Sequence, residues 1–532
     1  MGKWISAFGR VLAAIGAPMC GATVLLGAYG VAHAGEFEAH SWARHHPAAT
    51  EHVTPLIHVD PWTDLGDVAR RLKELPAGKR FVVFQWMTDD LANHPADRVV
   101  TRTWELRPTS VPVTQPAGRG AAGPVMASSG RSPGSAASNS AAKSTATVMA
   151  RVAVDRPTPF RGPWMDSGIA GVRARVQAAM QQLKSLGAPI DGVAIDNETT
   201  LHAANFLGVP GSLAAIEQDP RWPALASAMG LPVRVSDMSW GSPLYYLWTE
   251  RMAARFDAAM NTAAFDPIRR AYPRAVVSNY CTGRMLTAHA TPDVNGHPDR
   301  SASMGFGTHD NSEFYGWVAP GRVARASGTV TTSESWLAFR VELHKIRGMN
   351  ASSSRPKHAW VAARSWQGES WGRVPFAGTP MWDELMLQLG MNGVRRFFEL
   401  SIEDFSMTRE QNLERRARDR EALNGAMAEL NARISGASPA ILAARQPSWN
   451  DRVVATGRYV GDRVVWRFSF ADGIERVKVR LSDGSDHVVQ ADPGRRGAWF
   501  EHPADLDLVM DAAGRLPMIE VIESESWTAS AQ

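Results

Sequence analysis

The sequence predicts an α/β chain, a (β/α)8 barrel followed by a small antiparallel β domain, and three observations lead there. Short apolar runs alternate with amphipathic helical stretches through most of the chain. Runs such as Gly192-Val193-Ala194-Ile195 are apolar without alternation, as suits strands buried on both faces. From Arg452 onward the helices give way to short alternating strands separated by turns such as Asp472-Gly473 and Asp483-Gly484. A doubly wound sheet fits less well, because no Gly-x-x-x-x-Gly-Lys-Ser/Thr phosphate loop occurs.

Residues 1–34 read as an export signal: Lys3 and Arg10 supply charge, residues 11–31 are apolar or small, and Ala32-His33-Ala34 forms a cleavage site. The apolar run is also long enough to cross a bilayer, so a retained anchor is the other reading. Cleavage would leave Cys281 as the one cysteine, hence no internal disulfide, and a secreted or periplasmic chain. The remaining length, about 500 residues, suits a large domain (35–440) and a smaller one (447–526). Charged residues make up 21% with an excess of only +4, and Lys and Arg are dispersed, so nothing calls for a nucleic-acid partner. Once the signal is removed, no later run calls for a membrane. Nineteen tryptophans are the stronger signal, since their flat faces suit the apolar C–H faces of sugar rings.

The large domain opens with a strand at 56–59, an amphipathic helix at 64–75 and a second strand at 81–86 that ends on Trp86. Two strands joined by so short a helix should be parallel neighbours. Residues 107–147 are Ser, Ala, Gly and Pro with almost no large apolar side chain, and read as a disordered insertion on a loop. Trp164 and Asp166 then lead as possible site-wall residues into a helix at 169–186, and the strand 192–195 runs straight into Asp196, Asn197 and Glu198. A helix at 244–272 precedes a strand at 275–278 ending in Asn279-Tyr280. Residues 282–328 read as loop; their histidines lack a short ligand spacing, and 308–315 reads as a polar lid. Further strands at 358–363, ending at Arg364 and Trp366, and at 394–400, carrying Glu399, are followed by helices at 380–389 and 408–434. That makes about seven β/α units, with room for an eighth in the unassigned segments.

In parallel α/β architectures chemistry collects where strands end at their carboxyl side. Asp196, Asn197 and Glu198 stand at such an end. As scaffold, Asp196 would cap the next segment and Glu198 would pair with an arginine.

The arrangement resembles secreted TIM-barrel glycoside hydrolases with a C-terminal β-sandwich. Asn197-Glu198 resembles the Asn-Glu pair of the large retaining clan that includes β-galactosidases and cellulases. The resemblance implies Glu198 as acid/base, and Glu399 stands where the second, nucleophilic glutamate is expected. Asp191-Gly192-x-x-x-Asp196-x-Glu198 also resembles the chitinase signature, with Ala194 and Asn197 as departures. That version implies Glu198 as acid and Asp196 orienting an acetamido group. Under the first version Asn197 would meet the hydroxyl beside the reacting carbon, and Tyr280 and Trp366 would support the nucleophile and stack on sugar. Asn279, Trp86, Asp166 and Arg364 complete the expected substrate contacts, with Arg364 also a possible partner of Asp196. The chemistry needs two carboxylates and a carbohydrate substrate, and neither metal nor organic cofactor. Two other classes stay open: a non-catalytic carbohydrate-binding or envelope protein, and metal-dependent deacetylation or lyase chemistry.

Overall fold

The computed structural model describes residues 37–43, 54–60, 63–85, 98–112, 145–159, 166–196, 212–239, 242–279, 307–316, 331–366, 378–401, 407–444, 449–510 and 520–523. The chain divides into two compact units, residues 95–160 and the remainder.

In the larger unit the first strands are β1 (Glu38–Ala43), β2 (Thr54–Pro55), β3 (Ile57–Val59) and β4 (Phe81–Gln85). The smaller unit holds β5 (Arg98–Pro112) and β6 (Thr145–Pro159), an antiparallel ribbon paired from Arg98↔Pro159 to Pro112↔Thr145. This overturns part of the insertion expected over 107–147: residues 107–112 and 145–147 are strand, and 113–144 lie outside the described residues. The β-branched pattern Val99-Val100-Thr101 and Val152-Ala153-Val154 is the signal that the composition of the intervening segment outweighed.

The larger unit continues with β7 (Gly192–Asp196), β8 (Val276–Asn279), β9 (Asp310–Phe314), β10 (Lys357–Ala362) and β11 (Val394–Ser401). All pair in parallel, in the orders β3-β4-β7-β8 and β2-β1-β11-β10-β9. Two links join these sheets. The amide of Leu56, between β2 and β3, donates to Ser41 O at 2.9 Å. Ser278 of β8 bridges in parallel to His309, and Thr308 N donates to Val277 O at 2.8 Å. With β2 and β3 taken as one strand interrupted at Leu56, the pairing runs round eight parallel strands and returns to β1. The ring is a closed barrel.

Helices return the chain between strands: α1 (Leu65–Glu74), α2 (Asp166–Ser185), α3 (Ser212–Gln218), α4 (Trp222–Met229), α5 (Pro243–Met260), α6 (Asp266–Ala271), α7 (Glu334–Ser352), α8 (Pro380–Met391) and α9 (Arg409–Ile434). Asp64 caps α1 through Gly66 N, and Thr408 with Gln411 forms a capping box on α9. The helix expected over 244–272 is α5 and α6 joined by a π-helical turn, Asn261–Phe265, where Pro267 lacks the N–H that regular α geometry would use.

Strand alternation divides the core in two. Ala39, Phe314, Ala359, Val361 and Phe397 face outward into a layer shared with α7, α8 and α9. Phe81, Val83, Ala194, Tyr315, Trp360, Phe398 and Leu400 fill the barrel interior. Gly192 lies directly beneath the Phe81 ring, where a Cβ would come within 2.1 Å of it.

Two barrel strands differ from expectation. β1 carries Glu38, His40 and Ser41 and reads as polar coil in one dimension. β9 occupies the segment read as a lid, and all five of its residues, Asp-Asn-Ser-Glu-Phe, are buried. Burial and a place in the parallel ring outweigh the low strand propensity of Asp, Asn and Glu.

Beyond α9 come β12 (Ile441–Ala443), β13 (Val453–Val460), β14 (Arg463–Phe470), β15 (Ile474–Arg480), β16 (Asp486–Gln490), β17 (Gly497–Pro503) and β18 (Glu520–Glu523). They form two antiparallel sheets, β12-β13-β14-β17 and β16-β15-β18. Both sheets contribute to one core, Val453, Trp466 and Phe468 meeting Ile474, Val477 and Val489. β12 brings the start of this region ahead of the expected residue 447. Its sheet packs on α8 through a buried ion pair: Arg467 Nε donates to Glu384 Oε2 at 3.0 Å, and Arg467 Nη2 to Glu384 Oε1.

Candidate functional site in the barrel

The interior is filled in layers. Near the amino ends of the strands, Arg396 forms an ion pair with Glu38 and donates to His40 Nε2, each at 2.8 Å, with its guanidinium 4.1 Å from the Phe81 ring centre. Above lie His40, His358, His309 and Phe398. The His309 and His358 rings are 4.6 Å apart, and His40 is 5.4 Å from Phe398. Burial, with the positive charge of Arg396, pushes His40 and His309 down to about 4 and His358 well below the ordinary range. The imidazoles are therefore neutral fillers. Among the described residues no group of three or more His, Cys, Asp or Glu is placed to hold a metal. No described helix is long and apolar enough to cross a membrane.

Toward the carboxyl ends the walls become aromatic. Trp360 and Trp366 join Tyr315, Ala362 and Leu400, and Tyr315 meets Trp366 edge-on at 5.9 Å. Trp366 thus stands in the interior cluster and is largely buried. Glu313 shares this face: it is in register with Trp360, while the next residue, Phe314, is in register with Val361 of the outer layer.

The sequence-derived residues fall in different places. Asp196 is the last residue of β7, in register with Gln85 and two beyond the interior-facing Ala194. Asn279 closes β8, in register with Ile195. Asp166 opens α2. Trp86, Asn197, Glu198 and Tyr280 lie outside the described residues. Arg364 is held by Asp383 of α8, with Nε and Nη2 each 3.1 Å from a carboxylate oxygen. Its partner among the described residues is therefore Asp383, not Asp196, because the turn after β10 swings outward over α8.

Glu399 is the residue the fold places most differently from expectation. It is 1% exposed. In register it pairs with Ser41 and Val361, and Val361 belongs to the outer layer, whereas its neighbours Phe398 and Leu400 point inward. The Glu399 carboxyl therefore faces α9, not the lumen. Burial and the nearby Asp419 push it up to about 7, against the opposing pull of Ser41, Arg420 and Arg416. The Ser41 hydroxyl lies beside it without full hydrogen-bond geometry. Asp419 itself accepts from Ser365 N at 2.9 Å and Ser365 Oγ at 2.6 Å, tying α9 to the turn before Trp366.

Sequence reasoning missed Glu313 and the interior histidines. The alternation Asn311, Glu313, Tyr315 against Ser312, Phe314 was the available signal, and the need for an eighth strand would have directed attention to it.

No protein-family model matches the chain, and no curated protein matches it in sequence. Solved structures that superpose on it include the cyclic α-maltosyl-(1→6)-maltose hydrolase of Arthrobacter globiformis, at 10% identity, covering 82% of this chain and 79% of that one, with TM-score 0.35. A GH30 endoxylanase from Clostridium papyrosolvens C71 superposes at 9% identity over 88% and 95%, TM-score 0.27. Bee venom hyaluronidase does so at 13% identity over 49% and 77%, TM-score 0.26. Superpositions this loose carry no argument about chemistry; the barrel stands on its own strand pairing.

Proposed function

We propose that the protein is an exported glycoside hydrolase in which Glu198 protonates the leaving oxygen, with Asp196 as its close neighbour. One observation carries the reading: β7, which ends at Asp196, is a member of a closed parallel ring and so leads the chain toward the carboxyl-end mouth where barrel enzymes keep their chemistry. The tryptophan-rich composition and the interior Trp360, Trp366 and Tyr315 support a carbohydrate substrate. Asn197, Trp86, Asn279 and Tyr280 are read as contacts at the mouth, and Glu399 as part of the scaffold. The two C-terminal sheets are read as a β-sandwich bracing the barrel.

The test is a screen of the purified chain against aryl glycosides and polysaccharides, following reducing ends. Glu198→Gln and Asp196→Asn should each lower kcat/KM by about 10²–10⁴-fold in folded protein. A wild-type chain that binds sugars but cleaves none would return the protein to the non-catalytic carbohydrate-binding class.

A further inference from the structure

Glycosidic cleavage needs, besides the acid, a second group on the opposite face of the sugar. Glu399 points away from the lumen. We propose that Glu313 of β9 is that second carboxylate, acting as base on the attacking water, with Lys345 and Glu342 as its positioning residues. The inference rests on the hydrolase reading above.

Three observations converge. First, Glu313 shares the interior face with Trp360 and lies two residues before Tyr315 on the same strand, within the aromatic part of the barrel. Second, Glu313 turns its main-chain groups away from β10. In a parallel strand the main-chain groups of successive residues point to opposite neighbours. Asp310 N donates toward β10, to Pro356 O at 3.0 Å, and His309 N points toward Val277 of β8 at 3.4 Å. Asn311 and Glu313 therefore present their main-chain groups to β8, yet the Ser278–His309 bridge is the last pairing there among the described residues. Third, a cation from the outer layer reaches this strand. Lys345 of α7 donates its Nζ to the Glu313 carbonyl, with Nζ 3.8 Å from Glu313 Oε1 and 3.7 Å from Glu342 Oε2. Glu342 in turn accepts from Gly316 N at 2.6 Å and so holds the end of the strand that carries Glu313. The Lys345 amine, buried between the two carboxylates, ties this part of β9 to α7.

Glu313 is 5% exposed, enough for water to reach and too little for a sugar ring. The step is a single displacement. Water oxygen bonds to the anomeric carbon as its proton passes to Glu313; the bond to the leaving oxygen breaks with its electron pair, and that oxygen takes the proton of Glu198. The product has inverted configuration. A chitinase-like route through the substrate's own acetamido group would retain it.

The experiment uses the full chain and any substrate cleaved in the screen. Glu313→Gln and Glu313→Ala should fold, by circular dichroism and melting, and lose about 10³-fold in kcat. Azide needs no base, so it should restore turnover of Glu313→Ala and yield the inverted glycosyl azide. Proton NMR should show inversion with the wild-type chain. Lys345→Met should lower kcat by about tenfold or more while KM stays within about threefold, because the carboxylate loses the neighbour that positions it. Retention, or Glu313→Gln within threefold of wild type while Glu198→Gln is inactive, would overturn this inference alone. If the Glu313 variants do not fold, Lys345→Met decides, and an unchanged kcat overturns it. A wild-type chain without hydrolysis sinks the hydrolase reading and this one with it.

Discussion

A carboxyl pushed up to about 7 makes Glu399 neutral in folded protein at acid pH and costly to ionise above neutrality. The unfolded chain releases that proton near pH 4.5, so the native state binds more protons between there and pH 7. Its contribution to stability is full below the unfolded value and is lost as pH rises through the folded one, about 3 kcal/mol in all. Glu399→Gln is therefore expected to raise the melting temperature by several degrees at pH 8, to change it little at pH 4.5, and to leave kcat within a fewfold of wild type. Loss of turnover with unchanged melting would restore Glu399 to the catalytic role that its place in the sequence suggests. The contrast with Glu313 is one of parity. Glu399 was legible as a residue late in the barrel and Glu313 only as part of a lid, and a one-residue step along a strand exchanges lumen for helix layer. Phe397-Phe398 is apolar on both faces, so no hydrophobic pattern in β11 could tell the two sides apart.

At the scale of elements, apolar strands such as β4, β7 and β10 were plain in the sequence because burial on both faces leaves an uninterrupted Val, Ile, Phe or Ala run. β1 and β9 were not, because their buried polar groups answer to partners hundreds of residues away: Glu38 and His40 to Arg396, and Asp310 to Lys357 at 2.9 Å. The junction of α8 with β14 has the same character. Glu384 and Arg467 are both fully buried, Ser469 Oγ donates to the carboxylate at 3.1 Å, and the guanidinium lies 5.1 Å from the Trp499 ring centre. Arg467→Met should cost about 3–5 kcal/mol in urea unfolding by leaving Glu384 buried and unpaired, and adding Glu384→Met should recover most of it. Gly192→Ala should also destabilise, by about 1–3 kcal/mol, because the new methyl meets the Phe81 ring.

For the molecule as a whole, the interior histidines set the acid limit. His40 and His309 titrate near 4 when folded and near 6.5 when unfolded. The unfolded chain thus binds more protons in that window, and stability falls as pH drops from about 6.5 to about 4, by about 3 kcal/mol for each residue. Glu399 works in the opposite direction over an overlapping range, so Glu399→Gln should steepen the acid transition and His40→Gln should flatten it, as read by denaturant midpoints across pH. The order of the ring has one more consequence. β1 is paired on one side by β11, some 350 residues later in the chain, whereas β3, β4, β7 and β8 are joined in chain order. During vectorial synthesis the residue 57–279 arc can assemble while the first strand still waits, and the ring closes only when the end of β11 has left the ribosome. If the chain is exported unfolded, that late closure keeps it threadable until nearly all of the barrel has been made.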